Sequence, residues 1–167
     1  STTAALALGD ALAIVLMERR GFREEDFASL HPDGALGRRL VRVADLMQVG
    51  EAIPVVAEAD ALSRAIAEMS AKKLGHTGIV DDHGRLIGVL TDGDLRRLLQ
   101  SGRTARLDVS VREVMTGTPR TIGDAALGAE ALAIMEKHRI SALFIVDADD
   151  RPRGIVHLKD LLRAGVV

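Results

Sequence analysis

The sequence has no cysteine, no tryptophan and no tyrosine, and only three phenylalanines, Phe22, Phe27 and Phe144, among 167 residues. Without cysteine there is neither a disulfide framework nor a thiolate metal site. The five histidines are scattered, with no metal-ligand spacing such as HExxH. Without clustered aromatics there is no platform for stacking single-stranded bases. A formal net charge of -2 argues against a nucleic-acid binder relying on a basic surface. No apolar run reaches the ~20 residues needed to span a bilayer. The most apolar stretch, "AALALGDALAIVLM" from Ala4, is broken by Asp10, and no basic segment precedes it as in a signal peptide. P-loop and GxGxxG motifs are also missing. What remains is a chain expected in a reducing, cytoplasmic compartment, with no nucleic-acid or membrane partner.

What is present is a repeat. "GVLTDGDLRR" (88–97) and "GIVHLKDLLR" (154–163) share glycine, apolar, apolar and aspartate in the same places, 66 residues apart. At that offset "ALSRAIAEM" (61–69) meets "LGAEALAIM" (127–135), and "GIVDD" (78–82) meets "FIVDA" (144–148). Upstream, "VADLM" (43–47) resembles "VREVM" (111–115) with a two-residue slip. Each copy predicts a β-like segment, an amphipathic helix (62–71 or 127–137), two apolar strands joined by an Asp-, Gly- or Pro-rich turn, and a closing helix from near Asp94 or Asp160. Asp60 and Asp124 suit the N-caps of the first helices. Asp81, Asp82, Asp149 and Asp150 read as turn residues. Neither copy is large enough to bury much surface alone, so the two are expected to pack together.

A β-α-β-β-α order given twice, each copy closing on Gly-apolar-apolar-[Thr or His]-x-x-Asp, resembles a tandem CBS-domain pair over roughly residues 42–167. The resemblance implies an α/β (α+β) fold of two pseudo-symmetric repeats and a nucleotide in the cleft between them. Thr91-x-x-Asp94 has the form of a capping box, which alone stabilises a helix by about 1 kcal/mol. A short carboxylate at a helix start also suits the two hydroxyls of a ribose, and the helix N-terminus suits a phosphate. Both roles can coexist, and Thr91, Asp94, His157 and Asp160 are the candidate ligand contacts. Lys72, Lys73 and His76, with Lys137, His138 and Arg139 in the second copy, complement helix C-termini or form a basic rim for an anion. Ile53, Val55 and Ile79 are the candidate aliphatic holders of a base.

Ahead of the pair, "LHPDGALGRRLVRVADLM" (30–47) and "GDALAIVLMERRGFREEDFA" (9–28) resemble the end of the sugar-isomerase (SIS) domain of arabinose-5-phosphate isomerases and its junction with the CBS pair. Leu30 stands where Ser is common in that family, and Asp33 where Gly is common. The expected division is 1–40 SIS remnant and linker, 41–104 first repeat, 105–167 second repeat. The resemblance implies a bacterial aldose–ketose isomerase serving the synthesis of the lipopolysaccharide sugar Kdo, with His31 as a candidate catalytic group. The chain opens on Ser1 and reads as a piece of that enzyme, expected to be inactive alone, its Ala4 helix seeking another partner. No cofactor is required. The implied ligand is CMP-Kdo, or AMP/ATP as the alternative. The implied partners are the chain's own SIS domain and further copies, as a dimer of CBS pairs within a tetramer. A purely structural role in dimerisation is the rival reading.

Overall fold

Apolar residues at helical spacing in "LSRAIAEM" and "AEALAIM", each followed by β-rich runs, dictate two small α/β layers. The computed structural model describes residues 1–22, 26, 40–100 and 107–166. They fall into two units, Ser1–Val41 and Arg42–Val167. In the first, helix α1 (Thr2–Arg19) buries none of its residues, and Leu6, Leu8 and Ile14 are each more than half exposed. His31 and its His-Pro loop lie outside the described residues.

The second unit begins with a short helix α2 (Val43–Leu46). The first repeat follows as β1 (Val55–Ala57), α3 (Leu62–Lys72), β2 (His76–Val80), β3 (Leu86–Thr91) and α4 (Asp92–Gln100). The second is β4 (Thr116–Gly117), β5 (Thr121–Ile122), α5 (Gly128–His138), β6 (Ala142–Val146), β7 (Pro152–His157) and α6 (Leu158–Arg163). One sheet has the order β1-β2-β3-β4, the other β5-β6-β7. In each, the first strand runs parallel to the second and the second antiparallel to the third.

The internal repeat extends to backbone detail. The register slips between Ile79 and Val80 and again between Ile145 and Val146. The first helix of each copy ends on a left-handed residue, Lys73 at φ 56° and Arg139 at φ 54°. Both hairpin turns are closed by an aspartate. Asp81 accepts from the N–H groups of His83 and Arg85, and Asp147 from those of Asp149 and Arg151. Those donors hold both carboxyls below their ordinary range, with the Arg85 and Arg151 amides the largest contributors.

The two copies exchange their lead-in segments. β4, which leads into the second repeat, pairs with β3 of the first, Gly88 opposite Gly117. Gln48, which leads into the first repeat, pairs with Ile155 in β7 of the second. Two cores result. Val111 joins Val56, Leu62, Ala65, Met69, Ile79 and Leu90 of the first copy. Val43 joins Ile122, Ala131, Met135, Leu143, Ile145, Val156 and Leu161 of the second. Each of these valines is fully buried, a contribution of about 1.5–3 kcal/mol. A third cluster seals the repeats together through Ile53, Leu74, Leu86, Ala142, Phe144 and Ile155.

The exchange overturns one expectation. Asp60 and Asp124 do not cap: the N-cap residues of α3 and α5 are Ala61 and Leu127, without side-chain cap bonds. The first-turn N–H groups of α3 instead reach the other lead-in, Leu62 to the Val109 carbonyl at 2.9 Å and Ser63 to that of Leu107 at 3.0 Å. Asp60 turns back to the Ala57 N–H at 2.9 Å and pairs with Arg64 at 3.3 Å.

Candidate functional site

β2 and β3 of the first copy and β6 and β7 of the second bring His76, Thr91, Ala142 and His157 to one end of the sheets, because each antiparallel pair is in register there. That end opens as a cleft of about 650 Å³ between the repeats. Lys73, Gly75, His76, Thr91, Asp94 and Arg97 line it from the first copy, and Arg139, Ser141 and His157 from the second. A side cavity of about 330 Å³ adjoins it, sharing His76, Thr91 and Thr116 and adding Arg120, His138 and Phe144.

Thr91 and Asp94 form a reciprocal capping box at the start of α4. The Thr91 N–H donates to Asp94 Oδ2 at 2.9 Å, and the Asp94 N–H donates to Thr91 Oγ1 at 3.2 Å. The Thr91 hydroxyl also donates to Oδ2 at 2.7 Å. The other oxygen, Oδ1, accepts from the Arg97 guanidinium and, at 3.4 Å, from the Thr116 hydroxyl. The Asp94 side chain is only 12% exposed, while that of Arg97 is 71% exposed. Burial acts to raise the Asp94 pKa, but the bonds from Thr91 and Arg97 and the Arg97 charge outweigh it and hold the carboxyl below its ordinary value. Asp94 is therefore a fixed carboxylate facing the cleft, with an exposed surface arginine as one of its partners.

The second copy repeats the box in weaker form. The His157 N–H donates to Asp160 Oδ2 at 3.3 Å, and His157 Nδ1 accepts from the Lys159 N–H at 3.2 Å. Burial first, then the charges of His76 and Lys159, push the His157 pKa below its ordinary value, against the opposing pull of Asp160.

The cleft thus gathers Thr91, Asp94, His157, Lys73, His76 and Arg139 of the sequence candidates. His138 lines the side cavity. Lys72 is turned to Glu68 at 3.8 Å, and neither it nor Asp160 lines the cleft. Ile53 and Val55 line a different hollow of about 650 Å³ with Met47, Val49 and Arg153, and Ile53 itself belongs to the core between the repeats. Sequence reasoning missed Thr116, Arg97 and Ser141. Thr116 follows the lead-in Met115, whose match to Met47 was visible, but its place beside Asp94 depends on the strand exchange. Among the described residues no cluster of histidine and carboxylate side chains could hold a metal ion, and no helix is long and apolar enough to cross a membrane.

The CBS domain sequence model matches residues 41–101 and 111–167. The arabinose 5-phosphate isomerase KdsD of Pseudomonas aeruginosa is 54% identical over 168 residues, covering 100% of this chain and 51% of that protein. The KdsD of Escherichia coli K12 is 45% identical over the same share of each. The chain therefore spans about half the length of these relatives. Among solved structures, CBSX2 in complex with AMP superposes with a TM-score of 0.66 at 26% identity, over 75% of this chain and 96% of that one. The CBS pair of MJ0100 in complex with 5-methylthioadenosine and S-adenosyl-L-methionine superposes with a TM-score of 0.64 at 26% identity, over 74% and 94%.

Proposed function

This chain belongs to the CBS domain family, as a tandem pair, and on that footing we propose that it is the regulatory nucleotide-binding half of an arabinose-5-phosphate isomerase. The observation that carries the reading is the cleft in which a fixed carboxylate, Asp94, shares one wall with Thr91 while Lys73, Arg139 and two histidines supply positive or protonatable groups around it. Asp94 suits a ribose diol, the Thr91 hydroxyl and the start of α4 suit a phosphate, and the basic groups suit a second negative charge. CMP-Kdo has all three: a ribose, a phosphodiester and an acidic sugar. The likeness to KdsD supports the pathway, in which ribulose 5-phosphate and arabinose 5-phosphate interconvert on the way to Kdo. Feedback by the activated end product follows as the regulatory logic.

His31 is assigned to the isomerase site, whose remaining groups belong to the preceding domain of the whole enzyme. Adenine nucleotides are the second reading, favoured by the AMP and S-adenosyl-L-methionine complexes of structurally similar pairs. A thermal-shift titration with CMP-Kdo, CMP, AMP, ATP and arabinose 5-phosphate separates the two. A ligand at a hundredfold its Kd adds about 2.7 kcal/mol to stability. The reading expects CMP-Kdo to give the largest shift. A shift with adenine nucleotides alone makes the module an energy sensor, and no shift with any leaves it a device for holding subunits together.

A further inference from the structure

Asp94 lines the cleft with every acceptor position of its carboxylate in use. An ionised carboxyl group has about four lone-pair sites. Oδ2 takes two donors from Thr91, the N–H at 2.9 Å and the hydroxyl at 2.7 Å. Oδ1 takes the other two, the Arg97 guanidinium and, at 3.4 Å, the Thr116 hydroxyl. A ribose diol brings two further donors. For it to reach this carboxylate, donors already there have to leave.

The two oxygens are held with different firmness. The bonds to Oδ2 belong to the capping box that starts α4, and releasing them costs the helix its cap. The bonds to Oδ1 join side chains at the surface. Thr116 contributes a long contact. Arg97 is largely exposed, lines the cleft, and folds back over Gly93, where its Nη1 stands 3.6 Å from the place a Cβ would take. The pair is not an automatic result of the spacing. Asp160 and Arg163 have the same separation in the second copy, yet among the described residues Asp160 accepts from the His157 N–H at 3.3 Å and is not joined to Arg163. Arg97 is therefore the donor that a ligand displaces at least cost to the fold.

We infer that Arg97 is a specificity-determining residue: it holds Asp94 Oδ1 as an internal competitor of the ribose diol, and by doing so selects against neutral nucleosides. Displacing it breaks an ion pair. A neutral nucleoside leaves the guanidinium without a counter-charge, whereas a ligand with its own negative group leaves it paired. The discrimination arises from the contact a ligand has to remove. The inference rests on the reading of the cleft as a nucleotide site and names the ligands that such a site rejects.

The test compares cytidine with CMP and CMP-Kdo, and adenosine with AMP, on this chain, Arg97→Gln and Arg97→Lys, each variant checked for folding by its thermal midpoint. Affinities are read from NMR chemical-shift titrations, which reach weak binding, at low and at high salt. Arg97→Gln is expected to tighten a nucleoside by about threefold, within the range of an exposed ion pair, and to reduce the preference for nucleotide over nucleoside by at least that factor. In the unaltered chain the nucleoside should bind more tightly as salt is raised, because screening weakens the pair it has to break. That response should vanish in Arg97→Gln and persist in Arg97→Lys, which keeps the charge; loss of a merely structural side chain would not produce this pattern. If nucleotides bind while neither nucleoside gains affinity in Arg97→Gln, the inference is overturned and the nucleotide reading stands. If CMP-Kdo, CMP and AMP bind to none of the three proteins, both are overturned.

Discussion

Met47 lies flat on Gly154, so close that a Cβ at Gly154 would stand 2.5 Å from the methionine sulfur and 3.1 Å from the Gln48 carbonyl. Met115 lies on Gly88 in the same way, with the Thr116 carbonyl 3.2 Å from the position of a Cβ. The two contacts are one device used twice. A lead-in segment from one repeat is received by the last strand of the other, and only glycine leaves room for it. The chain arriving from the preceding unit is thus gripped by the strand that ends at His157, in the cleft wall.

Gly154→Ala forces either the sulfur or the Gln48 backbone to move. The expected loss is about 1–3 kcal/mol, as for other overpacked interiors, read from urea denaturation midpoints at unchanged slope. Gly88→Ala should behave alike. A change below about 0.5 kcal/mol at both positions would mean that the lead-ins are not held as described.

Thr77 is the one buried polar side chain among the described residues, and its hydroxyl donates to the Ala65 carbonyl at 3.2 Å. Thr77→Val keeps the shape and removes the bond. The expected cost is about 0.5–1.5 kcal/mol, measured by thermal or chemical unfolding, with ligand affinity unchanged because Thr77 does not line the cleft.

The two capping boxes separate stability from binding. Asp94→Ala and Asp160→Ala should each lose about 1 kcal/mol of stability, the ordinary effect of losing a helix cap. Only Asp94→Ala should also weaken the nucleotide, by tenfold or more, since Asp160 does not line the cleft. Equal losses of affinity in the two variants would place a second ligand at the second repeat.

Four groups with lowered folded pKa values bear on the acid limb of stability, Asp81 and Asp147 in the hairpin turns and Asp94 and His157 in the cleft. Asp94 has its folded pKa below the ordinary 3.8, so its contribution is complete above that value and disappears as pH falls through the lower folded value. His157 has its folded pKa below the ordinary 6.5. The unfolded chain therefore binds the proton first, and stability declines as pH drops from about 6.5 through the folded value. Thermal midpoints from pH 8 to 3 should fall in two stages. His157→Asn, which keeps an acceptor for the Lys159 N–H, should flatten the upper stage, and Asp94→Asn should lessen the lower, which Asp81 and Asp147 share.

Much of this was legible in the sequence because it is local and repeated. The 66-residue offset carried the strand–helix order, and the Asp81 and Asp147 turns follow from aspartate's habit of accepting from amides two and four residues on. The left-handed ends at Lys73 and Arg139 carry no glycine to announce them. The exchange of lead-ins was not legible, since it pairs residues as far apart as Gln48 and Ile155 and was marked only by a two-residue slip. That exchange took the place of an Asp60 cap by offering the Val109 and Leu107 carbonyls to the first turn of α3, and it bonded the lead-in N–H groups of Val43 and Ala44 to the Ala126 and Asp124 carbonyls. It also put Thr116 beside Asp94. Ile53, an aliphatic residue in a plausible place, went to the core because Leu86, Phe144 and Ile155 meet there.

The most direct measurement is a calorimetric titration of CMP-Kdo into this chain and into Asp94→Ala. The account predicts saturable binding to the chain and a loss of tenfold or more in affinity on removing the Asp94 carboxylate, with the variant still folded. Undiminished affinity in Asp94→Ala, or no heat with CMP-Kdo at concentrations where AMP binds, would contradict it.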